Sequence, residues 1–133
     1  MELIRVSDVQ KTYKTGTVAL YDFNLSIKKG EFVFVIGASG SGKSTLIKML
    51  YREEKPDKGS IIIGGINVAK LKNRKVYVLR RKLGVVFQDF KLLPKLTVYE
   101  NVAFAMEVLG YDKKEIRKRV LEVLDLVGLK NKV

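Results

Sequence analysis

The chain has 133 residues, enough for one domain, and its 26 Lys and Arg against 14 Asp and Glu give a formal net charge of +12. An apolar fraction of 47% with only 2 Pro excludes a disordered or collagen-like polypeptide, and the lack of Cys and His excludes disulfides, thiol chemistry and histidine-based metal sites. The charge suits nucleic acid, anionic lipid or a nucleotide, and by itself it cannot choose among these polyanions.

Signals for membrane insertion and secretion are missing from the sequence. The longest apolar run, residues 32–36, is far shorter than the roughly 20 residues that span a bilayer. The first residues lack the basic region and long apolar stretch of a secretory signal. We therefore expect a cytoplasmic protein.

The first half of the chain predicts strands around one helix. Residues 23–27 alternate apolar and polar side chains, as in a strand with one solvated face. Residues 32–36 are apolar throughout, which predicts a central parallel strand covered on both sides. Helical spacing begins at Lys43 and runs until Pro56 and Gly59 interrupt it. The apolar face of this predicted helix consists of Leu46, Met49 and Leu50.

The middle of the chain predicts a hairpin, a basic helix and a second buried strand. Residues 61–63 and 66–68 are two strand-like segments joined by the two-residue turn Gly64-Gly65. A basic stretch then leads into residues 83–87, the second candidate for a buried strand. Its cations are Lys70, Lys72, Arg74, Lys75, Arg80, Arg81 and Lys82. Such a run is most often a solvated helix face, and contact with anionic lipid headgroups is the alternative.

The last third predicts two capped helices. Thr97 and Glu100 form a capping box, and Gly110 is placed to end the helix that begins there. Asp112 starts another helix, with Gly128 at its C-terminal cap. The apolar positions of this second helix are Ile116, Val120, Val123, Leu124 and Val127. All the predicted elements together indicate one mixed α/β domain without an internal linker.

A glycine-rich loop joins the strand predicted at residues 32–36 to the helix that begins at Lys43. Its sequence, which matches the P-loop pattern at every fixed position, is Gly37-Ala38-Ser39-Gly40-Ser41-Gly42-Lys43-Ser44. Glycines let consecutive amides point at phosphate oxygens, and the positive end of the helix dipole adds to them. We expect Lys43 to neutralise the β- and γ-phosphates, Ser44 to bind Mg²⁺, and Thr45 to add a further hydroxyl. The flanking strand and helix disfavour the alternative, a flexible turn that happens to hold a lysine.

From Leu3 onwards the chain resembles the ABC ATPases. This family places an aromatic residue before the first long strands to stack on adenine, and Tyr13 stands there; a core tyrosine is the alternative. After its second buried strand the family carries a glutamine that reaches magnesium and the attacking water, and Gln88 matches it. The resemblance implies ATP and Mg²⁺ as ligands. It also implies the fold of an ABC-type nucleotide-binding domain, with an N-terminal β-subdomain, a parallel core sheet and the start of a helical subdomain.

The resemblance further implies a membrane partner. Apolar residues in a predicted loop after Gln88 are either a docking surface for a membrane subunit or local core: Phe90, Leu92, Leu93 and Pro94. Members of the family act as homodimers of the full-length ATPase. The expected location is therefore the cytoplasmic, inner face of the cell membrane, and no nucleic-acid partner is expected.

Within the family, residues 51–56, 71–74 and 79–89 are most similar to ATPases of bacterial cell division. These pair with an integral membrane protein and couple ATP turnover to the control of cell-wall hydrolases. ATP-binding subunits for lipoprotein release, macrolide export and amino-acid uptake share much of the pattern and remain the alternative.

Three catalytic parts of the family do not occur within residues 1–133. They are the Leu-Ser-Gly-Gly-type signature, the Walker B strand that runs into Asp-Glu, and the switch histidine. Because phosphoryl transfer depends on positioned magnesium and an oriented water, we expect a partial domain that binds Mg-ATP without turnover. Strands of the parallel sheet without neighbours would leave an uncovered edge, so aggregation or domain exchange is also expected.

Other classes of protein fit less of the sequence. A GTPase would use residues 125–128, which match the Asp-x-x-Gly motif, and Asn131-Lys132. GTPases place these two motifs after strands and far apart, whereas here both lie at the end of one predicted helix. A nucleic-acid-binding module would explain the charge and predicts binding that weakens steeply with salt. A structural scaffold that uses nucleotide only as a switch would need no turnover.

Overall fold

The computed structural model describes all residues, 1–133, as two compact units, Met1–Gly84 and Val85–Val133, which we describe separately. The first unit is built on a sheet with the strand order β2-β1-β3-β4, in which every neighbouring pair is antiparallel. Its strands are β1 (Glu2–Thr12), β2 (Val18–Lys28), β3 (Lys58–Ile63) and β4 (Ile66–Asn67). β2 contains the strand predicted at residues 23–27, and β3 with β4 confirms the predicted hairpin.

β1 is an element that the hydrophobic pattern does not reveal, because a bulge interrupts its alternation. Asp8 has a φ of 47°, and the pairing with β2 shifts register between Val6 and Val9, which are both buried. The side chain of Asn24 in β2 stabilises this bulge. Its Oδ1 accepts a hydrogen bond from the Asp8 amide at 2.9 Å, and its Nδ2 donates to Asp8 Oδ1 at 3.2 Å. An inserted residue breaks the two-residue period by which strands are recognised in sequence.

Helix α1 (Lys43–Leu50) packs against the sheet through the face that the sequence predicts. Leu46 and Met49 are fully buried, and Leu50 is partly buried against the same cluster. The buried core of this unit consists of Val6, Val9, Leu20, Leu46, Met49, Ile61, Ile63, Val68 and Leu79. The basic stretch forms a 3-10 turn (Asn73–Lys75) and helix α2 (Val76–Arg80), and all seven of its cations are exposed.

The two segments predicted as buried parallel strands are not strands in this structure. Residues 32–36 belong to no helix or sheet, and their exposure ranges from 41% at Val33 to 90% at Ile36. Residues 83–87 likewise belong to no strand, and Val86 is fully exposed. A central strand needs hydrogen-bonded neighbours at both edges, and the sheet of the first unit pairs only β1 to β4. The prediction of burial for these segments is therefore wrong for this chain.

The second unit contains helices α3 (Val98–Leu109) and α4 (Lys113–Leu126), followed by a 3-10 turn (Lys130–Lys132). The capping box at Thr97, the αL cap at Gly110 and the side-chain cap at Asp112 all form as predicted. Ala103, Ile116, Val120 and Leu124 form the buried cluster between the helices. Val127 was expected on the apolar face but is exposed, because α4 ends at Leu126 and the chain turns into Gly128 with a φ of 75°. None of the helices in the structure has the length and apolar character needed to cross a bilayer.

Candidate functional site

The candidate phosphate-binding loop, residues 37–44, takes backbone conformations that require glycine. Gly40 has a φ of 80° and Gly42 a φ of 96°, both in the left-handed region that side chains with a Cβ rarely adopt. A Cβ on Gly42 would lie 2.3 Å from the carbonyl oxygen of Ala19 in β2. Gly40 and Gly42 are therefore needed for the shape of the loop.

The first turn of α1 is open to an anion. Its N-cap is Gly42, which has no side chain to accept hydrogen bonds from the helix amides. The first amides of a helix have no acceptors within the helix, and the helix dipole places positive charge at the same end. Residues 37–41 and Ser44 are exposed. Uncapped amides at an exposed, glycine-rich turn fit the phosphate chain of a nucleotide.

Lys43 brings a cation into the same loop. Its Nζ donates hydrogen bonds to the carbonyl oxygens of Gly37 and Ala38, the latter at 2.7 Å, and to Ser41 Oγ at 3.2 Å. All three acceptors are neutral, so the ammonium charge is not cancelled by a carboxylate and stays available to phosphate oxygens.

The ring of Tyr13 lies beside the start of α1. Tyr13 directly follows β1, is half-buried, and its Oη lies 2.8 Å from Thr45 Oγ1 within hydrogen-bonding distance. Lys11 Nζ lies 5.7 Å from the centroid of the Tyr13 ring. The structure therefore places Tyr13 beside Thr45 in the first turn of α1, although nothing in the sequence pattern links the two residues.

The residues of the first unit fit a magnesium-bound triphosphate. The Ser44 hydroxyl is exposed at the first turn of α1, next to the loop. The structure contains no group of three or more His, Cys, Asp or Glu side chains that could hold a metal by themselves. Mg²⁺ usually takes one or two protein oxygens and completes its shell with phosphate oxygens and water, so a single hydroxyl beside the loop suits it.

Gln88 belongs to the second unit, where it lies exposed in a turn. The apolar residues that follow it are exposed too, with Phe90 at 79% and Leu92 at 68%, so they are not local core. The loop nevertheless has a defined shape. Asn101 in α3 accepts a hydrogen bond from the Leu93 amide at 2.8 Å through Oδ1, and its Nδ2 lies 3.1 Å from the Leu93 carbonyl oxygen.

The basic stretch of the first unit contributes to packing as well as to charge. The Arg80 guanidinium donates to the carbonyl oxygens of Tyr51 at 3.0 Å and of Arg52 at 3.4 Å, at the C-terminal end of α1. Arg52 is buried, and its guanidinium donates to the Leu71 carbonyl oxygen at 2.8 Å. Burial, together with the nearby charge of Arg80, lowers the pKa of Arg52 from its usual value. Arg80 and Arg52 thus connect the end of α1 to the basic stretch.

A groove of about 600 Å³ between α3 and α4 in the second unit is a separate feature. Apolar side chains such as Val102, Met106 and Val123 line it. It contains none of the residues that the sequence predicts for nucleotide binding.

The fold and the loop define a P-loop nucleotide-binding protein of mixed α/β class. The family model described as "ABC transporter" matches residues 20–133. The chain therefore belongs to the ABC transporter family.

Curated relatives match the chain over nearly all of its length. The cell division ATP-binding protein FtsE of Streptococcus pneumoniae is 56% identical over 133 residues, which are 100% of this chain and 58% of the relative. FtsE of Bacillus subtilis is 58% identical over 130 residues, 98% of this chain and 57% of the relative. The methionine import ATP-binding protein MetN of Helicobacter pylori is 43% identical over 131 residues, 98% of this chain and 40% of the relative. The chain thus spans little more than half the length of the FtsE relatives.

Solved structures of the family share the fold. A dimeric post-hydrolysis state of the ATP-binding cassette MJ0796, bound to ADP and phosphate, has a TM-score of 0.83 at 41% identity, over 92% of this chain and 56% of that one. CbiO1 from Clostridium perfringens, part of the ABC transporter complex cbiONQ, has a TM-score of 0.82 at 32% identity, over 98% of this chain and 52% of that one. These matches confirm the predicted class, an ABC-type nucleotide-binding domain.

Proposed function

We propose that the chain is the ATP-binding portion of an FtsE-like ABC ATPase that acts in bacterial cell division. The observation that carries the proposal is the Lys43 ammonium inside a glycine-rich loop at the uncapped start of α1, with the Tyr13 ring beside it. Identities of 56% and 58% to two FtsE proteins favour the cell-division branch of the family.

Each residue of the site has a distinct role in this proposal. The amides of residues 37–44 and the Lys43 ammonium bind the phosphates, and the Tyr13 ring stacks on adenine. The Ser44 hydroxyl binds Mg²⁺, and the role of Gln88 in positioning water stays a prediction from the family resemblance. When bound, magnesium would supply positive charge that neutralises the phosphate oxygens.

Hydrolysis requires groups that residues 1–133 do not contain. ATP turnover belongs to the family, whereas this chain lacks the signature, the Walker B carboxylates and a histidine. We therefore expect the 133-residue polypeptide to bind Mg-ATP without measurable phosphate release. A phosphate-release assay tests this, and turnover that disappears in Lys43→Ala would contradict it.

The partner in this proposal is an integral membrane subunit resembling FtsX, and the full-length ATPase is a homodimer at the inner face of the cell membrane. A docking surface for that subunit is supported by two exposed apolar residues, Phe90 and Leu92. They lie on a loop whose Leu93 amide donates a hydrogen bond to Asn101. Phe90→Ser should lower co-purification with the membrane subunit, whereas Val86→Ser, at an exposed position outside this loop, should not.

A second candidate is the ATP-binding subunit of an uptake transporter. It is favoured by the 43% identity to a protein named for methionine import. Co-purification with a membrane subunit of the uptake type, in place of one resembling FtsX, would favour this candidate.

Calorimetric titration with ATP and GTP, with and without Mg²⁺, tests nucleotide binding directly. We expect magnesium-dependent binding of ATP that is weakened in both Lys43→Ala and Tyr13→Ala. A clear preference for GTP would contradict the proposal and favour the GTPase alternative. Binding that Lys43→Ala leaves unchanged would contradict it as well.

A further inference from the structure

The basic stretch, residues 70–82, lies within the longest segment of the chain that has no acidic side chain, residues 58–88. All seven of its cations are exposed. Five of them form no ion pair with a carboxylate: Lys70, Lys72, Arg74, Lys75 and Lys82. The stretch therefore carries positive charge that its neighbours do not cancel.

The opposite side of the basic stretch is packed on the core of the first unit. Val76 and Leu79 in α2 are buried, and Leu71 before the helix and Leu83 after it pack partly buried against the core. Because these apolar side chains face the core, the cations between them are left on the solvent side. The basic stretch is thus a charged face of a folded unit.

Two arginines hold this charged face to the end of α1. Arg80 donates to the carbonyl oxygens of Tyr51 and Arg52, and the buried Arg52 guanidinium donates to the Leu71 carbonyl oxygen at 2.8 Å. All of these acceptors are neutral, so the bonds fix the arginines without cancelling their charge. Charges that are already fixed bind a surface at a smaller entropy cost than the charges of a disordered tail.

Tyr77 adds an aromatic ring to the same stretch. It is 54% exposed in α2, and the Arg81 guanidinium lies 5.0 Å from its ring centroid. Tyrosine is enriched at membrane–water interfaces, where its ring contacts the apolar layer and its hydroxyl contacts water. Single-stranded nucleic acids instead stack their bases on open aromatic faces, and Arg81 already covers one face of this ring. Tyr77 therefore favours a lipid headgroup layer over a nucleic acid.

We propose that the basic stretch binds the anionic headgroups of a membrane surface, through the phosphates of lipids such as phosphatidylglycerol. Clusters of about four to eight Lys or Arg beside a membrane are attracted to anionic lipids in this way. The inference rests on the proposed function, in which a membrane partner holds the ATPase at the inner face of the membrane. It adds a contact with the lipid itself, made by residues outside the nucleotide site and outside the apolar loop at Phe90.

Sedimentation with vesicles tests the inference on the 133-residue chain. The chain should bind vesicles made of equal parts phosphatidylglycerol and phosphatidylcholine, and should bind phosphatidylcholine vesicles much more weakly. The triple variant Lys72→Gln, Arg74→Gln, Lys75→Gln should bind the anionic vesicles roughly a hundred-fold more weakly, which is about five-fold for each cation removed. Its affinity for Mg-ATP and its midpoint of urea unfolding should stay unchanged, because the three exposed side chains lie outside the nucleotide site and the core.

A second triple variant controls for net charge. Lys113→Gln, Lys114→Gln, Arg117→Gln removes the same types of cation from exposed positions in α4. It should weaken vesicle binding by no more than about three-fold, because Glu115 and Glu122 already offset the cations of that helix.

The outcomes separate the inference from its rivals. Equal losses in the two triple variants would assign the binding to net charge and overturn the inference, as would equal binding to both kinds of vesicle. Binding of duplex DNA that falls in the first variant, with vesicle binding unchanged, would assign the stretch to nucleic acid and overturn it as well. Absence of Mg-ATP binding in the unmodified chain would contradict the proposed function alone, because the vesicle measurement does not depend on nucleotide.

Discussion

Gly42 lies at the junction of the phosphate loop and α1, in close contact with β2. A Cβ there would meet the Ala19 carbonyl oxygen at 2.3 Å and Leu20 Cδ2 at 2.9 Å, and the φ of 96° is already unfavourable for other residues. Gly42→Ala should therefore lower the free energy of unfolding by roughly 2–5 kcal/mol, the sum of a left-handed backbone and an overpacked contact. Urea unfolding followed by circular dichroism measures this loss.

Gly40 offers a matched control for that prediction. Its φ of 80° is also left-handed, but a Cβ there would meet no atom within 4 Å. Gly40→Ala should cost only the backbone part, roughly 1–2 kcal/mol. Equal losses in the two variants would mean that the contact with β2 contributes nothing.

At the scale of single residues, the sequence predicts the part of the candidate site that lies within one contiguous motif. The loop, Lys43 and Ser44 follow from one contiguous pattern, and in the structure Gly40 and Gly42 are left-handed and Lys43 donates to the Ala38 carbonyl oxygen. Their roles in nucleotide binding stay predictions. The bond between Tyr13 and Thr45 joins residues 32 positions apart, and the position of Lys11 depends on Asp57. No local pattern encodes such contacts, so they become visible only once the strands and the helix are in place.

At the scale of elements, Asn101 shapes the apolar loop before α3. Its Oδ1 accepts from the Leu93 amide at 2.8 Å, and its Nδ2 lies within 3.2 Å of the carbonyl oxygens of Leu93, Leu96 and Thr97. In Asn101→Ala, the Leu93 amide should exchange its hydrogen about five-fold faster, as expected for one lost hydrogen bond of about 1 kcal/mol. Hydrogen exchange read by NMR checks this.

Asn101→Asp separates the acceptor from the donor of the same side chain. A carboxylate still accepts from the Leu93 amide but cannot donate to the three carbonyl oxygens. Protection of the Leu93 amide should therefore persist in Asn101→Asp, even though the rest of the loop loosens. Fast exchange in both variants would show that the Leu93 amide is held by another group.

The helices of the second unit were predictable because their signals are local. The capping box of Thr97 with Glu100, the Asp112 cap and Gly110 each specify an end within one turn. Strands depend on partners that are distant in sequence. Residues 32–36 have the composition of a buried strand, yet no strand of the structure pairs with them.

At the scale of the whole molecule, this unpaired segment is an exposed apolar surface. Phe32 and Phe34 are 84% and 77% exposed, and their rings contact each other edge to face with centroids 5.0 Å apart. Exposed apolar segments of this kind promote association between chains. The 133-residue chain should therefore bind a hydrophobic dye and elute above its monomer mass of 15.1 kDa in size-exclusion chromatography.

Replacing both rings, as Phe32→Ser with Phe34→Ser, should reduce dye binding and move elution toward the monomer. The midpoint of urea unfolding should barely change, because side chains that are mostly exposed contribute little burial to stability. Ile61→Ala provides the opposite case. Ile61 is fully buried, so its truncation should cost roughly 2–5 kcal/mol without lowering dye binding. If the double variant instead unfolded as easily as Ile61→Ala, residues 32–36 would have to be part of the buried core in solution.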